Sequence, residues 1–446
     1  MLPSLVPLTL IAAVAAFLIH RSIQKYLWNR KYKLPPRVLG VPFFGNTFQV
    51  PVFQQGRWAR EKARQYGEIN TWVFLNSSRV VTDLLEKRAP IYSSRPEYPM
   101  TQKLLSGNSR VVLMPYCDRW RALRKIMHQV LNTRQADKFK PYQELESKQL
   151  LYDYLYQPDK WYIANQRFVN SVIMSVVFGR RMELDDPEMK ELFDSSENFL
   201  ENLQPGANLV DGFQFLDRLP TFLHWWRPYG SLIEAGSDTT RMSISQVIAA
   251  AATYPDWVGR ARKQLDDVCG DAERLPVFDD KPNLPYITAA VKEGFRWRPF
   301  AEIGMPHVLT QDDEYEGYKF PAGTIFTWNA SSIALDPREY EDPERFYPER
   351  FLNEDLDNPM KGHWAFGAGR RVCAGWNVGA TNLWIAVARL IYCFDFEQDP
   401  DKPIDTMAVP WQEHKTAPFS VKIKVRSPKH AALIERDCLD AVNAKY

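Results

Sequence analysis

The segment "FGAGRRVCAG", residues 366–375, surrounds a single cysteine, Cys373, with glycines and arginines. The chain has 446 residues and five cysteines, and no CxxC pair suggests a structural zinc site. The other four, in ordinary helix-like or tail contexts, are Cys117, Cys269, Cys393 and Cys438. Cys373 is therefore the cysteine whose neighbours indicate a chemical role.

The neighbours of Cys373 favour a thiolate. Glycines let the backbone approach the sulfur, two arginines add positive charge, and an apolar helical run at 376–394 begins just after the cysteine. A thiolate can act as a nucleophile, for which only His363 lies near in sequence, or as a metal ligand. One soft ligand does not suit zinc or an iron–sulfur cluster, whereas it suits haem iron with a single axial sulfur.

Composition and periodicity predict a mainly α-helical globular protein with small β-sheets in its later half. Hydrophobic residues make up 45% of the chain and its net charge is +2, which gives no argument for a nucleic-acid partner. Strand-like runs occur at 315–329 and 419–425. Apolar residues three and four apart predict helices at 54–67, 79–88, 118–131, 135–155, 167–179, 246–268 and 286–298.

The N-terminal residues predict a membrane anchor. Residues 2–19 are uncharged and mostly apolar, and a basic flank follows with no acidic residue before Glu61. This charge distribution places the rest of the chain in the cytosol. A cleaved signal peptide is the alternative, but its positive charge would precede the apolar run. The predicted order is an anchor helix (1–20), a basic flank with a Pro-rich hinge (21–46) and one domain (47–446).

Five residues of the Cys373 segment match the FxxGxRxCxG signature of the cytochrome P450 family, which the chain therefore resembles. They are Phe366, Gly369, Arg371, Cys373 and Gly375. The resemblance implies the cytochrome P450 fold, with residues 47–446 as a single haem-binding catalytic domain. It also implies that Cys373 is the axial ligand of heme b, iron protoporphyrin IX.

Two further motifs resemble parts of the family's haem surroundings. "EGFR" at 293–296 resembles the ExxR pair, and Glu293 and Arg296 lie on one helical face where they can pair. The resemblance implies that Arg350, in "FYPERF", joins them in a buried, structural ion triad behind the haem. "WRALR" at 120–124 resembles the WxxxR helix. The residues that would face the haem propionates are then Trp120, Arg124 and His307.

"AGSDTT" at 235–240 resembles the oxygen-activation segment of the family. The resemblance implies that the small residues Ala235 and Gly236 let a helix approach the haem. It also implies that Asp238 and Thr239 relay protons to the distal oxygen, a general-acid role.

The function that the resemblance implies is a membrane-anchored haem-thiolate monooxygenase, which inserts one oxygen atom from O2 into an apolar small molecule. Electrons would come from NADPH through a separate cytochrome P450 reductase, docked on a basic surface that includes Lys125 and Arg370. "GMPHVLTQDDEYEGYKFPAGT" and "IYSSRP" resemble filamentous-fungal members that tailor secondary metabolites, similar to O-methylsterigmatocystin oxidoreductases. The implied location is the endoplasmic reticulum membrane, single-pass, with the catalytic domain facing the cytosol.

The chain departs from the family in its spacing. In the family, helices that roof the substrate pocket precede the oxygen-activation segment, whereas here 219–230 runs almost directly into 231–240. Pro228 and Gly230 also disfavour a helix interior there. We therefore expect that part of the F–G region and the start of the long central helix are missing, which would open the distal pocket to water. A smaller gap at 66–78 leaves room for about one of two expected strands.

Two alternatives to the monooxygenase remain open. A gene-model error or splice variant would make the chain a truncated, haem-poor non-enzyme. A haem-thiolate isomerase or peroxygenase would need no reductase, although it usually lacks the acid–alcohol pair that Asp238 and Thr239 provide.

Overall fold

The computed structural model describes residues 5–36, 38, 49–51, 54–66, 69–70, 73–187, 191, 202, 208–212, 217, 237–408 and 417–444. The described chain is mostly helical with small sheets, which confirms the predicted fold class. The α-helices are α1 Leu5–Lys31, α2 Gln55–Tyr66, α3 Ser78–Val81, α4 Asp118–Leu131, α5 Thr133–Ala136, α6 Lys140–Tyr156, α7 Trp161–Phe178, α8 Leu209–Gly212, α9 Ser237–Thr253, α10 Pro255–Cys269, α11 Pro285–Trp297, α12 Ala330–Ala334, α13 Trp376–Cys393 and α14 Pro428–Asn443.

The strands form one mixed sheet and two hairpins. The mixed sheet has the order β1-β2-β6-β3, with β2 parallel to β6 and the other pairs antiparallel. Antiparallel pairing also joins β4 to β5 and β7 to β8. The strands are β1 Ile69–Asn70, β2 Phe74–Leu75, β3 His307–Val308, β4 Asp313–Tyr315, β5 Tyr318–Phe320, β6 Ile325–Trp328, β7 Phe394–Gln398 and β8 Val421–Val425.

Two sequence-based expectations about these elements are wrong. The segment 66–78 holds two strands rather than about one, because β1 and β2 are each only two residues long. The single helix predicted over 246–268 is two helices, since α9 ends before Tyr254 and α10 starts with Pro255. Tyr254 has φ −127° and ψ 73°, which fits the exclusion of helical geometry immediately before a proline.

The main hydrophobic core lies among α6, α7, α9, α11 and α13. An ion network that sequence analysis missed is buried in it. Arg167 of α7 donates to Glu146 at 2.6 Å and to Asp153 at 2.7 Å, both on α6. Arg181 also donates to Glu146, at 2.5 Å, and to the carbonyl of Ala444 just after α14, at 2.9 Å. The network therefore ties α6 and α7 to the C-terminal helix.

The helix α1 reaches the body of the protein at the β4–β5 hairpin. Lys31 Nζ and Tyr32 Oη each lie 2.9 Å from Asp312 Oδ2, just before β4, and the Lys319 N–H donates to the Lys33 carbonyl at 2.8 Å. Among the residues described, no helix has both the length and the apolar character needed to cross a membrane. The predicted transmembrane helix within residues 1–20 is therefore not supported.

Candidate haem site

The Cys373 segment turns sharply before α13. A 3₁₀ turn at Gly369–Arg371 precedes Cys373, whose backbone N–H donates to the Phe366 carbonyl at 2.8 Å. Gly369 has φ +59°, and a Cβ there would collide with the carbonyl oxygen of Leu85, so the position requires glycine. Gly375 is the N-cap of α13. The sulfur therefore lies next to the N-terminal end of a long helix, as the sequence predicted.

The surroundings of Cys373 act on its thiol in opposite directions. Desolvation raises the pKa of the thiol, whereas the Gly375 N–H and the charge of Arg124 lower it by less. The side chain is nevertheless exposed, so the thiol lies in an accessible recess. Arg370, one of the two arginines expected to add positive charge here, donates to the hydroxyl of Tyr116 at 2.6 Å. A bound metal cation would deprotonate the sulfur outright.

Buried and half-buried basic side chains crowd beside the Cys373 segment. Burial first, and then Arg95 and Arg124, lower the pKa of Arg371 to about 9. Burial lowers the pKa of Arg95 to about 10. Burial, Arg95 and Arg371 hold the pKa of His307 well below its usual value. Because these groups destabilise one another's charged forms, the cluster is suited to binding an anion.

Nitrogen atoms of this cluster lack acceptors within the described part of the chain. Arg371 donates to the carbonyls of Ser93 at 2.7 Å and Met114 at 2.9 Å, but its Nη1 has no acceptor there. The same is true of Arg124 Nε. His307 Nε2 also has no partner there, and it donates only when the ring is protonated, because Nδ1 faces the Tyr92 carbonyl. A buried donor without an acceptor is costly, so the two arginine nitrogens fit a ligand that carries carboxylates. Haem propionates are carboxylates, and the residues present therefore fit haem.

Trp120 and Arg95 complete the cluster. Trp120 is buried, and the Arg371 guanidinium carbon lies 4.1 Å from the centre of its ring. Arg95 donates to the carbonyls of Val112 at 3.0 Å and Pro306 at 2.5 Å, which fixes its position. Sequence analysis missed Arg95, because an arginine followed by a proline carries no local signal of burial.

The three predicted members of the ion triad lie together. Arg296 donates to both carboxylate oxygens of Glu293, at 2.6 and 2.8 Å, and Arg350 Nε lies 3.2 Å from the same carboxylate. The remaining Arg296 nitrogen donates to the carbonyls of Ala334 and Pro343, each at 2.7 Å. Glu293 and Arg296 are fully buried. The triad thus joins α11 to the segment that contains Arg350.

The predicted oxygen-activation segment is only partly described. Ala235 and Gly236 lie outside the described residues, and Asp238 is described only as part of α9, without its side chain. Thr239 is half-buried in the first turn of α9, and its carbonyl accepts a hydrogen bond from Ser243 Oγ at 3.0 Å. A serine bonded back to the preceding turn in this way can bend a helix.

A cysteine at a helix N-terminus, next to buried cations that suit carboxylates, defines a haem-thiolate protein. The sequence model of the family "Cytochrome P450" matches residues 35–225 and 229–420. A cytochrome P450 monooxygenase of Aspergillus aculeatus, aneD, is 30% identical, covering 91% of both chains. Another from Clonostachys rogersoniana, verL, is 31% identical, covering 93% of this chain and 92% of the relative. The chain belongs to the cytochrome P450 family of monooxygenases.

The comparisons also bear on the predicted missing segment. The family match is interrupted at 226–228, within the stretch where the sequence predicts that residues are missing. The alignment with the Clonostachys rogersoniana relative extends over 500 positions, more than the 446 residues of the chain, so some of its positions have no counterpart here. Residues 218–236 lie outside the described part, and the deletion stays a prediction.

Proposed function

We propose that the chain is a heme b monooxygenase that oxidises an apolar small molecule of fungal secondary metabolism with electrons from NADPH. The observation that carries this proposal is the position of the exposed Cys373 thiol beside the basic cluster of Arg95, Arg124, Arg371 and His307, of which Arg95 and His307 are buried. A ligand that contains both a soft metal and carboxylates suits both parts of the site, because the thiolate can bind the metal and the basic side chains can bind the carboxylates. Relatives from filamentous fungi named cytochrome P450 monooxygenases support the class of reaction.

When bound, the haem would supply oxygen activation, which a thiolate ligand favours. The chain's own residues hold the group and control protons. The Gly375 N–H and Arg124 stabilise negative charge on the sulfur of Cys373. The basic cluster binds the propionates, and Asp238 and Thr239 relay protons on the distal side, the general-acid role.

The role of Thr239 predicts the effect of Thr239→Ala. We expect haem uptake to remain and product formation to fall by about a hundredfold, because general acid catalysis contributes on that scale. Hydrogen peroxide release per NADPH consumed should rise, since oxygen is then reduced without substrate oxidation. Ser245→Ala, at a buried position whose hydroxyl bonds back to the Arg241 carbonyl at 3.0 Å on the same helix, serves as the matched control. Equal product yields from both variants would exclude the proton role.

The proposed function is tested by the spectrum of the reduced, carbon monoxide-bound protein and by turnover. A red-shifted Soret band shows a thiolate-bound haem. Product formation that requires both NADPH and a cytochrome P450 reductase supports the monooxygenase. Turnover with peroxide alone would instead favour a peroxygenase, and isomerisation without any reductant would favour an isomerase.

We place reductase docking on α4 and the adjacent Cys373 segment. Lys125 and Arg370 are exposed there, as are the apolar side chains of Ile126 and Val130. The double variant Lys125→Glu with Arg370→Glu should slow reductase-dependent reduction about tenfold at low salt, and the difference should shrink at high salt. Lys263→Glu, an exposed position on α10, is the control and should reduce at the unmodified rate. Equal rates for all three proteins would exclude this surface.

We also propose attachment to the endoplasmic reticulum membrane through the N-terminal segment, with the domain facing the cytosol. Apolar side chains on α1 are exposed beside basic ones, and neither Asp nor Glu precedes Glu61. The exposed apolar residues are Phe17, Ile19, Ile23, Tyr26, Leu27 and Trp28. Protease treatment of intact microsomes should digest the domain. A domain that is washed off by salt, or that is protected from protease, would contradict this location.

A truncated, impaired form is the second candidate, favoured by the interrupted family match at 226–228. Comparison of genomic DNA with the transcript across codons 225–235 tests it. A transcript that encodes additional residues there would show that the present sequence lacks part of the pocket roof. An uninterrupted match of genome and transcript would leave a natural short form.

A further inference from the structure

Trp328 is the last residue of β6, and its indole N–H donates no hydrogen bond within the described residues, whereas several other tryptophans donate theirs. The side chain is 6% exposed, and its Nε1 has no acceptor within the described residues. A buried indole N–H normally finds a partner, so this one calls for an acceptor that the described chain does not supply. Four other tryptophans donate theirs at 2.6–3.2 Å: Trp257, Trp297, Trp364 and Trp384.

The indole ring of Trp328 is held tightly in place. The Gly304 N–H donates to the Trp328 carbonyl at 2.8 Å, and a Cβ at Gly304 would collide with the ring. On the Cys373 segment, a Cβ at Gly367 would lie 3.6 Å from Cη2 of the ring. The ring therefore packs directly against the backbone of Gly304, and the Gly367 backbone lies beside its outer edge.

Two other buried nitrogen atoms have no partner in the described chain, and one of them belongs to a side chain next to this ring. The imidazole of His307 is 5.9 Å from the Trp328 ring, edge to face, and His307 Nδ1 lies 2.7 Å from the Tyr92 carbonyl oxygen. Because Nδ1 holds the ring proton, His307 Nε2 donates only when the imidazole is protonated, a state that a carboxylate beside it would favour. Arg371 Nη1 is the other nitrogen, and the charge of Arg371 acts on His307. Two buried N–H groups beside an imidazole that a carboxylate can protonate suit a single acceptor with several oxygens.

We propose that the Trp328 indole N–H is an additional donor to the carboxylate edge of the haem, next to His307 and Arg371, and that it slows haem release. The inference rests on the proposed haem-binding function and deepens it. Trp328 is a positioning residue, since it binds the group at its edge and takes no part in proton delivery.

Haem transfer from the full-length protein to excess apomyoglobin measures this contribution directly. Trp328→Phe should release haem about tenfold faster, the effect of one hydrogen bond to a charged acceptor. Trp257→Phe removes a buried indole whose N–H is bonded to the Ala250 carbonyl, and it should release haem at the unmodified rate. The propionate bending bands in the resonance Raman spectrum should shift in Trp328→Phe only.

A second variant protects the test against misfolding. Replacement of Trp328 by β-(3-benzothienyl)alanine keeps the ring shape and exchanges the N–H for sulfur, and it should release haem about as fast as Trp328→Phe. Unmodified release from this variant, with unshifted propionate bands, would overturn the proposal while leaving haem binding intact. Failure of the unmodified protein to take up haem would instead refute the proposed function.

Discussion

Cys373→Ser is expected to abolish the red-shifted Soret band of the reduced, carbon monoxide-bound protein and to reduce product formation below detection. Serine keeps the size of the side chain and the N–H of residue 373 bonded to the Phe366 carbonyl, so the loop geometry should persist. The hydroxyl is a much poorer ligand for a soft metal site than a thiolate. The measurement is the difference spectrum together with the haem content of purified protein.

A matched control is available among the other cysteines. Cys269 is buried at the end of α10, and burial raises the pKa of its thiol to about 11, so it is inert as a ligand. Cys269→Ser should therefore keep the red-shifted band, whatever it does to stability. An unchanged spectrum in Cys373→Ser, or a lost band in Cys269→Ser, would refute the assignment of the axial ligand.

Glu293→Gln is expected to lower the free energy of unfolding by about 3–5 kcal/mol, because it leaves the buried Arg296 and the half-buried Arg350 without their shared anion. The Gln amide would offer these arginines one neutral oxygen beside their carbonyl partners, and its NH2 group could not accept from them. Haem uptake should also fall, since α11 contacts the Cys373 segment through Phe295, whose ring lies 5.0 Å from that of Phe366. Urea unfolding followed by circular dichroism, with haem content measured in parallel, checks both effects.

Glu341→Gln is the appropriate comparison for the triad. Glu341 is exposed, and only its backbone carbonyl contacts Arg350, at 2.9 Å, so the substitution should change the unfolding free energy by less than about 0.5 kcal/mol. If Glu293→Gln were as stable as Glu341→Gln, the carboxylate could not be the shared partner of the two arginines.

Sequence analysis predicted the helices well where the spacing of apolar residues within one segment is enough to define the helix. The helix predicted at 118–131 has the same bounds in α4, and the helix after Cys373 is α13. It failed at 246–268, where one proline outweighs a long apolar pattern. It also underestimated the strands at 66–78, because two-residue strands depend on partners such as β6 that are distant in the chain.

Local and distant contacts differ in the same way at the candidate site. Sequence analysis could single out Cys373, the Gly369 turn and the pairing of Glu293 with Arg296, because residues close together in sequence make these contacts and backbone or helical geometry dictates them. Arg95 and Trp328 could not be identified in that way, since their burial depends on segments brought together only by folding.

The sequence by itself determined the family and most of the helices, and it singled out Cys373, because short, contiguous patterns carry this information. The tertiary structure decided which nitrogen atoms have no acceptor in the described chain. It also decided the direction in which the pKa of Cys373 shifts, because desolvation raises that pKa by more than the nearby charge and N–H lower it. Hydrogen-bond partners and desolvation depend on every segment that packs around a group, so neither can be obtained from a local pattern.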